Sequence, residues 1–131
     1  MFEIALLTTA LMFGGSVLYA FGFAAFVFTA LPADTAGPLI RRAFPHFYLF
    51  VLITSVLAGV LVVSTDYLSA VVLSAIAVTT LLARQVLMPA INAATDQRNK
   101  KRFKILHTLS VAITLAHIVA AALIILRLAT F

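Results

Sequence analysis

Two histidines, His107 and His117, stand inside one of the most apolar stretches of the sequence, Phe103 to Arg127. At about 100° per residue, His107, Ser110, Thr114 and His117 fall on one face roughly 80° wide. No other stretch of the chain carries a continuous polar stripe. A helix in hydrocarbon must turn such a stripe inward. An imidazole left there without a partner costs several kcal/mol. When neutral it donates from one nitrogen and accepts on the other. The chemistry open to His117 is therefore a proton relay, a metal or haem ligand, a substrate contact, or a bond to a hydroxyl on the next helix. Ser16, Tyr19, Thr54, Ser55 and Ser74 lie at similar depth and are the expected partners.

A second layer forms nearer one end, where His46, Arg84, Asn92 and His107 come to a similar depth from three helices. Two histidines on different helices suit a metal or the axial positions of a haem. Imidazole alone, however, usually needs a third ligand or a carboxylate. Glu3, Asp34, Asp66 and Asp96, the four acidic residues, all lie away from that depth. His107 and His117 cannot share one ion, because about 15 Å of helix rise separates them. Histidines that reach out to interfacial water explain His46 and His107 equally well. Arg84 suits an anion or lipid phosphate, or extends to the headgroups by the same snorkelling.

The elements that must position these residues follow from composition. Of 131 residues, 64% are hydrophobic and 10% charged, with a mean hydropathy of +1.19. A soluble domain is nearer half apolar and a quarter charged. The surplus must face lipid, and each crossing takes about 20 helical residues. Four spans use up the chain, at about residues 4–31, 46–64, 67–88 and 104–127, in one domain over 1–131. The expected fold is an all-α integral membrane four-helix bundle with short loops.

The first run, from Ile4, follows Glu3 without a basic start and is longer than a signal core, so it reads as a retained helix. Ser16, Ala20 and Ala24 recur at four-residue spacing, with Gly14, Gly15 and Gly22 nearby. Such a face lets helices approach closely, within the bundle or between copies. Ser55 with Gly59, and Ser74 with Thr79 and Thr80, provide similar steps. Leu31 to Pro38 is turn chemistry. It leads to a short amphipathic piece around Arg41 and Arg42 and a new helix opening at Pro45. Pro89 predicts a break or kink, and Asp96 to Arg102 a loop.

The chain lacks cysteine, which excludes disulfides and thiolate sites. Its net charge of +5 is concentrated in Arg41, Arg42, Arg98, Lys100, Lys101, Arg102 and Lys104, in the first and third loops. Topology accounts for these better than nucleic acid does, and they offer about 1 kcal/mol each toward anionic lipid headgroups. Only Arg127 stands on the opposite side. The positive-inside rule then places the basic loops in the cytoplasm and both termini outside, in a bacterial inner membrane. No nucleotide loop, catalytic triad, carboxylate pair or zinc motif occurs.

Four stretches resemble the transmembrane-protein-205-like family. They are Gly14-Gly-Ser-Val17, Ala43-Phe-Pro-His-Phe-Tyr48, Leu87-Met-Pro-Ala-Ile-Asn92, and Phe103 to Val111. The resemblance covers nearly the whole chain and implies a four-span bundle with Pro45, Pro89 and His107 to Ser110 near the cytoplasmic side. Members often carry asparagine where this chain has Thr114, and His117 is not part of the shared pattern. A fainter similarity is to histidine-bearing copper-resistance membrane proteins. Two readings follow. One is a non-enzymatic bundle, oligomeric, that handles a solute or ion or supports another membrane protein. The other is a membrane haem or metal protein, with redox or metal-handling activity, resting on His46, His107 and His117, the histidines of the second and fourth spans.

Overall fold

The structure, a computed structural model, describes residues 1–131. Four long helices account for almost all of them: α1, Phe2–Ala30; α2, Ala33–Val62; α3, Tyr67–Asp96; and α4, Lys100–Leu128. Each is long and apolar enough to cross a membrane. Only 17% of the most apolar stretch of α1 and of α4 is buried inside the bundle, against 39% for α2. Much of the remaining apolar surface is exposed, including Leu7, Phe26, Val60, Val78 and Leu123. In water that surface would have to be covered; acyl chains accept it without cost. The fold is that of a small membrane protein.

The helices form a closed square in which each touches the next, and α4 returns to α1. The α1–α2 and α2–α3 seams are the most extensive. Against α4, α1 uses its Phe2–Val17 half, whereas its last turns, Ala24–Ala30, pack chiefly on α2. Ala5, Met12, Val51, Ala58, Leu73, Ile76 and Ile124 meet at the centre. Small residues set the closest approaches. A Cβ on Gly15 would stand 2.7 Å from the Phe50 ring across the α1–α2 seam, and one on Gly59 would stand 3.6 Å from Leu73 Cβ in α3.

The proline-rich segments differ from the expectation. Leu31–Pro32 is the whole first turn, and one helix runs from Ala33 through Pro38 and Pro45 to Val62. The Pro32 carbonyl starts it by accepting from Thr35 N at 3.0 Å and Ala36 N at 2.8 Å. Pro45 is thus inside a helix rather than in a first turn. Neighbouring helices can supply the polar groups that an interior proline disturbs, which is why membrane helices tolerate it.

Pro89 likewise does not end α3. The turn before it, Ala83–Leu87, widens to π geometry, with Met88 N–H bonding the Ala83 carbonyl. A wide turn relieves the clash between a proline ring and the carbonyl four residues back. A second π segment, Leu18–Phe23, lies in α1. The third loop is shorter than expected, because Lys100–Arg102 are already helical. Arg98 adopts a left-handed φ of 54°, and the Asn99 side chain caps α4 by accepting from Arg102 N at 3.1 Å.

Candidate functional site

The polar stripe of α4 is spent largely on neighbouring helices. Ser110 Oγ lies 3.1 Å from the Tyr48 hydroxyl of α2. His117 Nε2 lies 2.7 Å from Thr79 Oγ1 of α3. Thr79 Oγ1 also lies 2.8 Å from the Ala75 carbonyl. A hydroxyl has one proton, and a carbonyl can only accept. The assignment that satisfies all three groups has Thr79 donating to Ala75 and accepting from His117 Nε2–H. Thr114 is buried, and His107 is exposed with its ring stacked on Phe103 at 5.3 Å.

Thr79 was not among the hydroxyls expected to meet His117. Thr54 donates to Phe50 O, Ser55 to Leu52 O and Ser74 to Ala70 O, each along its own helix. Ser16 is buried in α1. Tyr19 donates to the Ala43 carbonyl of α2 at 2.8 Å. One residue beyond Thr79, Thr80 Oγ1 is buried without any hydrogen-bond partner. At ~1.5 Å per residue, Ser16, Tyr48, Thr80 and Thr114 all sit about 20 Å from the loop-2 ends of their helices. These four form one hydroxyl-bearing layer, with Thr80 its unsatisfied member, and further buried hydroxyls, Thr9, Thr54 and Ser55, lie nearer the loop-2 end.

Nearer the basic end, polar groups converge on the proline turn of α2. Tyr19, from the π segment of α1, bonds the Ala43 carbonyl, and its ring stacks on Phe47 at 5.2 Å. Arg84, from the π segment of α3, donates Nε–H to the Pro45 carbonyl at 3.2 Å and Nη1 to its neighbour Gln85 at 3.3 Å. Asn92 is half-buried on α3. His46 is exposed and lines a groove of about 640 Å³ between α1 and α2, bordered also by Leu11, Gly15, Tyr19, Gly22 and Phe26. His107 does not line that groove. No three His, Asp or Glu side chains gather in metal-binding geometry.

Two ion pairs join helix ends. Arg41 holds Asp96 at 2.8 and 3.1 Å across the exposed surface between α2 and α3. The remaining basic residues of that end, Arg42, Arg98, Lys100, Lys101, Arg102 and Lys104, are exposed. At the opposite end, Arg127 of α4 holds the buried Asp66 in the second loop at 2.6 and 3.1 Å, and Ser69 donates to the same carboxylate. The hydrogen bond from Arg127, helped by Ser69, lowers the Asp66 carboxyl from its ordinary 3.8 to about 2, against the opposing effect of burial. Phe131 packs 5.7 Å from the Arg127 guanidinium and stacks on Phe2 at 6.1 Å. The C-terminal turn thereby fastens α1, α4 and the second loop together. Arg127 had been noticed only as the lone base of its end. That solitude was the available signal, because the one loop acid at the same end is its natural partner.

Taken together, the bonds of Tyr19, Tyr48, Thr79, Arg84, Ser110 and His117 run from helix to helix, and the two ion pairs tie helix ends. No curated protein and no solved structure matches the chain. A family model does match residues 7–100, a stretch that takes in nearly all of α1, the whole of α2 and α3, and both π segments. The chain belongs to that family, described as the domain of unknown function DUF4149.

Proposed function

We propose that this protein is a non-enzymatic membrane bundle that works by lateral association. It assembles as an oligomer that braces another membrane protein or passes a solute or ion at a protomer interface. The observation that carries this reading is the use of the interior polar groups. Ser110 is engaged with Tyr48 of α2 and His117 with Thr79 of α3, so two of the four residues of the polar stripe bond α4 to other helices. A four-helix bundle closed in this way has no room for a private pathway. The surface left for function is the broad apolar flank, and small-residue faces on α1 suit helix association there.

The proposed orientation has the basic loops in the cytoplasm of a bacterial inner membrane, on the seven-to-one bias of Lys and Arg between the two ends. We also propose kinship with the transmembrane-protein-205-like family, on the four stretches quoted above. Cysteine crosslinking in native membranes tests the central claim, since the chain has no cysteine of its own. Single cysteines on the exposed flank of α1 away from its groove with α2, at Ile4, Leu7, Val17 and Phe28, are expected to give discrete multimers. Monomer alone at every position, together with no ion or solute flux in proteoliposomes and no co-purifying membrane partner, would refute it.

A further inference from the structure

We propose that the groove between α1 and α2 is a binding site for an anionic phospholipid, with one acyl chain along the groove and the phosphate held by Arg42 and His46. Leu11, Gly15, Leu18, Gly22 and Phe26 form one continuous strip of α1, and Phe50 and His46 form the facing wall. From Leu11 to Phe26 the strip is about 22 Å long at ~1.5 Å per residue. One leaflet of a ~30 Å hydrocarbon core is about 15 Å deep, so a lipid tail fits lengthwise. Gly22 presents no side chain, which leaves the floor low there, whereas the space over Gly15 is taken by the Phe50 ring of the facing wall.

Charge complementarity identifies the occupant. The groove is apolar along its length except where exposed His46 lines it, about level with Leu18 at ~1.5 Å per residue and one turn from Arg42. Arg42 precedes His46 by four residues, so the two stand one above the other on the same face of α2. Its neighbour Arg41 is tied to Asp96, but Arg42 is exposed and takes part in none of the three ion pairs of the molecule. A free guanidinium one turn above an imidazole is a donor set suited to a phosphate. The other apolar hollow, formed by Leu52, Ile53, Val56, Leu57 and Val60, provides a contrast. It has no polar residue at either end and nothing to hold a headgroup.

The test is a native mass spectrometry titration of the full chain in mild detergent, with phosphatidylglycerol and phosphatidylcholine as the two probes. Phosphatidylglycerol is expected to bind one site more tightly than phosphatidylcholine. Arg42→Gln removes one charge worth ~1 kcal/mol at a membrane surface. It should weaken phosphatidylglycerol about fivefold and leave phosphatidylcholine unchanged. Gly22→Leu fills the groove and should weaken both lipids. Arg42 is exposed, so its variant keeps the proposal testable if Gly22→Leu fails to fold. Equal binding of the two lipids, or no loss in Arg42→Gln, overturns the proposal. Efficient disulfide formation between copies carrying Leu18→Cys would also overturn it, by showing that a second copy fills the groove.

Discussion

Adjacent threonines in α3 should respond in opposite directions to the same substitution. Thr79 Oγ1 holds His117 Nε2 at 2.7 Å, whereas Thr80 Oγ1 is buried with no partner. Valine matches threonine in shape and removes only the hydroxyl. In Thr79→Val the imidazole loses its bond to α3. Interhelical hydrogen bonds of this kind in membranes average ~0.6 kcal/mol and reach ~1.7, so the folded fraction relative to unfolded should fall roughly threefold. In Thr80→Val no bond is lost, and the penalty for an unsatisfied buried hydroxyl, ~1–3 kcal/mol, is relieved. A gain of about 1 kcal/mol is expected, since the unfolded chain in a micelle already satisfies part of that group.

Unfolding driven by sodium dodecyl sulfate in mixed micelles, followed by far-ultraviolet circular dichroism, reads both effects. A double-mutant cycle of Thr79→Val with His117→Phe should return a coupling of ~0.6 kcal/mol. A destabilised Thr80→Val would refute the reasoning, because it would mean that the hydroxyl is bonded to a trapped water. A neutral Thr79→Val with zero coupling would show that the imidazole bond contributes nothing to the bundle.

Acid should weaken the end of the molecule opposite the basic loops. Pairing with Arg127 depresses the folded-state carboxyl of Asp66 from 3.8 to about 2, so its stabilisation is complete above the unfolded value and is lost as pH falls through that interval. Asp66→Asn should remove this acid-dependent component from unfolding curves measured between pH 5 and pH 2; an unchanged slope would contradict it. Tyr19→Phe keeps the stack on Phe47 but loses the bond to the Ala43 carbonyl, at an expected cost of ~0.5–1.5 kcal/mol in the same detergent assay. Gly15→Ala places a methyl 2.7 Å from the Phe50 ring and should destabilise by ~1 kcal/mol. Pairing it with Phe50→Leu should restore most of that loss, and failure to do so would put the clash elsewhere.

The number and type of elements were legible because apolar runs of that length have few other physical outcomes. Depth was legible only to about a turn: Tyr19, expected level with His117, bonds Ala43 nearer the basic end, and His117 meets Thr79 instead. Rotation was not. Ser74 and Thr79 are five positions apart on one helix and differ by about 140° in direction. Which of them meets His117 depends on how α3 is turned about its axis, and that is set by packing such as Gly59 against Leu73. The turn chemistry of Leu31 to Pro38 was over-read for a related reason. Proline and glycine are strong local signals, but tertiary context overrides propensity, and Pro38 and Pro45 fall inside α2. Arg127 and Asp66 are far apart in sequence, and only a bundle that brings the second loop beside the end of α4 makes them partners.

The two wide turns explain how a helix with an internal proline is held in lipid. Pro45 has no N–H for the carbonyl one turn earlier, and its ring pushes that turn open. Carbonyls in such a turn need donors from other helices. The carbonyl that loses its donor is Arg41's, and two carbonyls further along the same turn receive donors from other helices: Ala43 from Tyr19 of α1 and Pro45 from Arg84 of α3. Both donors lie within π segments. A π turn takes in an extra residue and so shifts the rotational phase of everything after it. Regular helices would satisfy the apolar contacts on one side of the turn at the expense of those on the other. With the phase shift, α1 keeps Met12 and Ser16 in the core while aiming Tyr19 at α2, and α3 keeps Ile76 and Thr80 inside while sending Arg84 across. The irregularities of three helices are thus one arrangement. Beside it, Gly22 and His46 stay exposed along the α1–α2 groove, while Gly15 packs on the Phe50 ring.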